Sequence, residues 1–163
     1  MSNDFFLRPI AERTLEFLSK DMNMELVKNS FEILHPNKIE LCCYTAMIGI
    51  GGTANLMFTM SFENDVLEAL TRSFVYGDIS EEEFEPLKES VVCEAANTVL
   101  GNAIANFPSG GDGITITPPV MIEQGKSISK NGSSKISMAK IETKNGFISM
   151  AIIGKDTDGE LLC

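Results

Sequence analysis

Six extended segments separated mostly by short, glycine-marked turns constrain this chain more than any other feature. They lie near residues 25–34, 38–48 and 54–62, then 114–123, 134–142 and 147–153, and are rich in Val, Ile, Phe, Tyr and Thr. Such side chains pack well on a pleated surface. Gly49-Ile50-Gly51-Gly52 reads as the turn between the second and third segments, because glycine supplies the positive φ of a tight hairpin. Gly125, Asn131-Gly132 and Asn145-Gly146 punctuate the later ones. Parallel strands need crossovers of a dozen or more residues, so connections this short imply antiparallel pairing.

A helical pattern precedes each group of three. In 5–22, Phe6, Ile10, Leu15 and Leu18 recur near helical spacing. The second pattern opens at Ser80-Glu81-Glu82-Glu83, a capping box, and runs to about Asn106, where Pro108 and Gly110-Gly111 stop it. A short helix fits 64–75, with Asn64 or Asp65 as its cap and Gly77 at its end. Helix–strand–strand–strand thus occurs twice. The expected fold is α+β: a mostly antiparallel sheet of about six strands, long helices packed on it, and two internally duplicated halves of weak residue identity. An exposed sheet edge would then be open to a second copy of the chain.

At 163 residues and 44% hydrophobic content, one domain spanning 1–163 is expected. The formal net charge of −10 argues against nucleic acid or an anionic membrane as partner, since both attract positive charge. No apolar run approaches the ~20 residues of a membrane span, and the start lacks a basic segment followed by an apolar one. A cytoplasmic location is therefore expected. Cys42, Cys43, Cys93 and Cys163 form no CxxC pair, and the single histidine, His35, suggests no zinc spacing, so no metal site of the chain's own is expected. His35-Pro36 reads as a turn. Gly49–Gly52 leads into a strand with no following Lys-Ser/Thr, which excludes a phosphate-binding loop.

Stepping 100° per residue along the long helix puts Val91, Val92, Ala95, Ala96, Val99, Leu100 and Ala103 on one arc, the core face. Ser90, Glu94, Asn97 and Gly101 fall together on the opposite side, with Glu94 and Asn97 neighbours at i and i+3. Taken alone, Glu and Asn on an exposed face are ordinary solvated residues. Glycine inside a helix costs ~1 kcal/mol against alanine, and close approach by another backbone is a common reason to keep it. The ridge reads as a docking surface.

Ser90-Val91-Val92-Cys93-Glu94-Ala95-Ala96-Asn97-Thr98-Val99-Leu100-Gly101-Asn102 resembles the signature helix of the CheX/CheC/FliY phosphatases of bacterial chemotaxis: Ser or Asp, then ExxN, then a Gly-Asn pair. The 47–62 stretch resembles that family's glycine hairpin and following strand, and Thr115-Ile116-Thr117-Pro118-Pro119-Val120 its proline-bearing strand. CheC-type members carry a second ExxN on the first helix; here Glu16-Phe17-Leu18-Ser19 has serine in place of asparagine. A single site is closest to CheX, whose members form homodimers through their sheets.

The resemblance implies a phosphatase acting on the aspartyl phosphate of a CheY-like response regulator. The divalent metal, Mg, would come with that phosphorylated partner, and the chain would need no cofactor of its own. Asn97 would orient the attacking water, Glu94 would pair with the regulator's lysine, and Ser90 and Gly101 would contact the partner. Residues 63–94 hold ten acidic and two basic side chains, a field suited to a basic-rimmed partner. The alternative is a non-catalytic receiver-binding or flagellar-switch module, because the fold is shared by such proteins.

Overall fold

The computed structural model describes residues 2–75 and 77–155; Cys163 lies outside them. The described residues hold three α-helices: α1 (Asp4–Glu16), α2 (Asn64–Phe74) and α3 (Glu81–Ala103). The strands are β1 (Ile33–Leu34), β2 (Lys38–Glu40), β3 (Tyr44–Gly52), β4 (Leu56–Phe62), β5 (Ile114–Ile116), β6 (Val120–Glu123), β7 (Ser127–Ser129), β8 (Lys135–Thr143) and β9 (Gly146–Gly154). Every pairing between them is antiparallel.

The main sheet runs β1-β8-β9-β4-β3, and both β5 and β6 pair with the far side of β3. That gives six positions across, the last shared by two short strands. Exchanging β1, β3 and β4 for β5/β6, β8 and β9 reverses this order and reproduces it. The duplication expected from element order is therefore present in the topology. Even the small second sheet obeys it: β2 and β7, each lying between the first and second strands of its half, pair with each other.

The core lies between one sheet face and the helices. Ile48, Ile50, Phe58, Met60, Phe62, Ile148, Met150 and Ile152 from the sheet meet Leu7 and Ile10 of α1, Leu67 and Leu70 of α2, and Val92, Val99 and Leu100 of α3. Each large side chain buried this way contributes roughly 1.5–3 kcal/mol relative to exposure. On the opposite face Ile39, Ile136 and Ala151 form a smaller cluster beneath the β2–β7 sheet.

Several local expectations are corrected. Gly49-Ile50-Gly51-Gly52 is not a turn but the last part of β3, and the chain reverses over Gly52–Asn55. A Cβ on Gly49 would sit 3.1 Å from Thr117 Cγ2, and one on Gly51 3.0 Å from Thr115 Oγ1. These glycines let the outer strand lie close. Residues 25–34 touch β8 only at the Leu26–Thr143 bridge and at β1, and residues 38–48 break where β2 leaves the main sheet.

Segment 114–123 breaks at Pro118-Pro119, which cannot donate to a ladder. The register with β3 shifts by one residue there, a bulge. Gly49 N–H finds Thr117 Oγ1 at 2.9 Å instead of a carbonyl.

The first helix ends in a π-turn, Phe17–Asp21, which carries Phe17 and Leu18 as well as Thr14 and Leu15 into the core. The N-cap of α2 is Glu63, whose side chain makes no capping bond but accepts from Phe147 N–H at 2.9 Å; Asn64 accepts from Lys88. At α3 the capping box is complete: Glu83 N–H donates to Ser80 Oγ at 3.3 Å and Ser80 N–H to Glu83 Oε2 at 3.2 Å.

Candidate functional site

With 23 residues, α3 spans about 35 Å at 1.5 Å per residue. Its small core-side residues, Ala95, Ala96 and Ala103, are fully buried, so the helix axis sits close to the sheet. Val91, Val92, Val99 and Leu100 are buried with them. The rotation this fixes leaves Ser90, Glu94, Asn97 and Gly101 all exposed along the outer side. The structure thus brings the four expected residues together on one ridge.

A Cβ built on Gly101 meets nothing within 4 Å. The fold does not need glycine there, although glycine costs the helix ~1 kcal/mol. Asn97 carries an exposed carboxamide that, among the described residues, is held by no hydrogen bond. It can both donate and accept. Thr98 Oγ1 donates to Glu94 Oε1 at 3.4 Å, and Ser90 Oγ donates to the Pro86 carbonyl at the same distance. Burial, then the charge of Glu89, pushes the half-buried Cys93 thiol up, away from the thiolate a nucleophile needs.

Of the two cations in the acidic stretch beside the ridge, Lys88 is buried against carboxylates and Arg72 is exposed. Lys88 is 2% exposed and donates to Asn64 Oδ1 and Glu85 Oε1, each at 3.1 Å. Burial pulls its pKa down, but the Glu85 hydrogen bond and the charges of Tyr44, Glu85 and Glu68 more than offset this and hold it above the usual lysine value. Arg72 stacks over the Phe84 ring at 4.7 Å. Glu81, Glu82, Glu83, Glu85 and Glu89 remain exposed.

Ser90, Glu94, Asn97 and Gly101 line none of the five main clefts. One of about 470 Å³ is lined by Ser2, Asp4, His35, Pro36, Lys130, Lys135, Ile136 and Ser137. There sequence reasoning missed a cluster: His35, read as a turn residue, puts Nε2 2.9 Å from Asp4 Oδ1, to which Ser137 Oγ donates at 2.6 Å. Long sequence separation hid it. The carboxylate stands in the middle, so the histidine does not reach the serine and no nucleophile is activated. Among the described residues, no group of three or more His, Cys, Asp or Glu is placed to hold a metal ion.

Small-molecule sites are concave. The ridge is a helix face in relief.

A model of the family described as chemotaxis phosphatase CheX matches residues 44–142, more than half of the chain. The chain belongs to the CheX family. No curated protein sequence matches it. Among solved structures, CheX from Desulfovibrio desulfuricans superposes with a TM-score of 0.74 at 19% identity, covering 90% of this chain and 97% of that one. A chain of the CheX–CheY–BeF3–Mg2+ complex from Borrelia burgdorferi gives 0.64 at 19% identity, covering 92% and 98%. FliY from Thermotoga maritima gives 0.53 at 12%, covering 90% and 84%. The fold is thus the one shared by CheX and FliY, and the matched 44–142 region contains α3 and its ridge. No helix among the described residues is long and apolar enough to cross a membrane.

Proposed function

We propose that this chain is a chemotaxis phosphatase that hydrolyses the aspartyl phosphate of a CheY-like receiver domain in the cytoplasm. The observation that carries the reading is the exposed Glu94/Asn97 pair, projecting from a rigid helix in a CheX-family chain. The Borrelia CheX–CheY–BeF3–Mg2+ complex supports the class of partner.

An acyl phosphate is reactive, and its hydrolysis lacks chiefly a water placed in line with the leaving carboxylate. The Asn97 carboxamide accepts one water hydrogen bond and donates another, orienting the water oxygen toward phosphorus. A P–O bond forms to that oxygen as the bond to the aspartyl oxygen breaks. Phosphate and a free carboxylate leave, with no covalent intermediate on this chain. A Mg ion brought by the phosphorylated partner would supply neutralisation of phosphoryl charge.

Glu94 pairs with the receiver's active-site lysine. Buried on docking, this charge-assisted bond is stronger than an exposed pair. Ser90 and the bare backbone at Gly101 sit against the receiver surface, and the acidic stretch steers its basic rim. The working unit is a homodimer paired through a sheet edge, where Leu34 on β1 is 52% exposed; elution of the native chain at monomer size contradicts this.

The test is decay of phosphoryl label on a purified CheY-type receiver, with and without the native chain. Faster decay is expected. Unchanged decay with measurable binding would make the chain a docking module like a flagellar-switch component.

A further inference from the structure

Among the described residues, the hydroxyls of the helices share one habit, with a single departure. Thr14 donates to the Ile10 carbonyl at 2.8 Å, Ser19 to Leu15 at 2.7 Å, Thr71 to Leu67 at 2.7 Å, Ser73 to Ala69 at 3.1 Å and Ser90 to Pro86 at 3.4 Å. Each bonds the backbone carbonyl one turn back, the usual fate of Ser and Thr inside helices. Thr14 also reaches Met150 Sδ at 3.1 Å, but Thr98 alone among them leaves the carbonyl one turn back and gives its hydroxyl to a side chain there, the Glu94 carboxylate, at 3.4 Å.

The position explains why this matters. Thr98 is half-buried, between the core side and the ridge, whereas Glu94 is exposed. A β-branched threonine has two main rotamers in a helix, so its hydroxyl oxygen has few places to go. A free glutamate there samples many rotamers, and fixing one on docking lowers affinity by roughly 2- to 12-fold.

We propose that Thr98 is a positioning residue: it holds the Glu94 carboxylate along the ridge before the partner arrives, and so improves docking without touching the reacting atoms. This rests on the proposed receiver-phosphatase reading and deepens it.

The experiment measures affinity by calorimetry for a CheY receiver carrying BeF3 and Mg2+, beside the turnover of phosphoryl label. Thr98→Val keeps the branched shape and removes the hydroxyl; it should weaken affinity, and raise KM, roughly 3- to 10-fold with kcat within about 2-fold of native. Thr98→Ser should restore most of the loss. In a Glu94→Ala background Thr98→Val should add less than about a 2-fold change, since the group it positions is gone. A purely structural role would give the same loss in both backgrounds, and that result overturns the proposal. So does native-like affinity in Thr98→Val while Asn97→Ala loses turnover, an outcome that leaves the phosphatase reading standing. If the native chain neither binds the receiver nor speeds decay, the reading itself fails, and the role of Thr98 with it.

Discussion

The helices α1 and α3 hold equivalent places in the two halves of one duplicated fold, yet only α3 carries a candidate site. Both are buried on one side and exposed on the other, α1 through Phe6, Leu7, Ile10, Ala11, Thr14 and Leu15. They differ outside the core. The outer side of α3 offers an unbonded carboxamide, a carboxylate held by one hydroxyl, and a glycine in open space. On α1, Glu16 is tied to Arg13 at 2.7 Å, and Ser19 lies in the π-turn with its hydroxyl given to the backbone. The two helices hold equivalent places in the topology, but the π-turn at the end of α1 and a few exposed residues separate a docking ridge from a structural helix.

The largest effect should be common to both helices and so tests their equivalence. Leu100→Ala in α3 and Ile10→Ala in α1 each empty a fully buried site and should each destabilise by about 2–5 kcal/mol in chemical denaturation. A large cost on one helix alone would break the symmetry of their roles. Gly101→Leu comes next and should split stability from docking. Helix propensity raises stability by up to ~1 kcal/mol, while the new side chain weakens receiver affinity about tenfold or more by blocking close approach. Unchanged affinity in calorimetry would remove Gly101 from the interface.

Capping gives a smaller contrast. Ser80→Ala removes one half of the α3 capping box and should cost about 1 kcal/mol in thermal unfolding. Asn3, at the start of α1, makes no such bond; its side chain donates to the Lys135 and Gly154 carbonyls, each at 3.3 Å, tying the helix to β8 and β9. Smallest of all, Ser19→Asn completes an ExxN pattern on the first helix and should add no phosphatase activity, because the π-turn breaks the i to i+3 alignment. A measurable gain in turnover would mean that pattern alone makes the site.

The sequence made α3 legible almost to the residue because three independent signals agreed: a capping box, a core-side period, and a proline–glycine stop. The ridge followed from the same arithmetic, and Ser90, Glu94, Asn97 and Gly101 are all exposed as expected. The four strands β3, β4, β8 and β9 were visible from their apolar runs. What escaped was set by partners far along the chain. Glycines at 49 and 51 look like a turn until Thr115 and Thr117 arrive beside them. The β2–β7 pairing joins residues about 90 positions apart with only three residues a side. Thr98 was overlooked because helical threonines usually bond backbone; its i to i+4 spacing from Glu94 was the available signal.

The central claim, that catalysis belongs to the α3 ridge and not to the fold shared by both helices, is tested most directly by one paired assay. Decay of phosphoryl label from a CheY-type receiver is followed with the native chain, with Asn97→Ala, and with Glu16→Ala on the outer side of α1. The account predicts acceleration by the native chain and by Glu16→Ala, and a loss of about 100-fold or more in Asn97→Ala with affinity nearly intact. Acceleration that survives in Asn97→Ala, or falls equally in both variants, would contradict it.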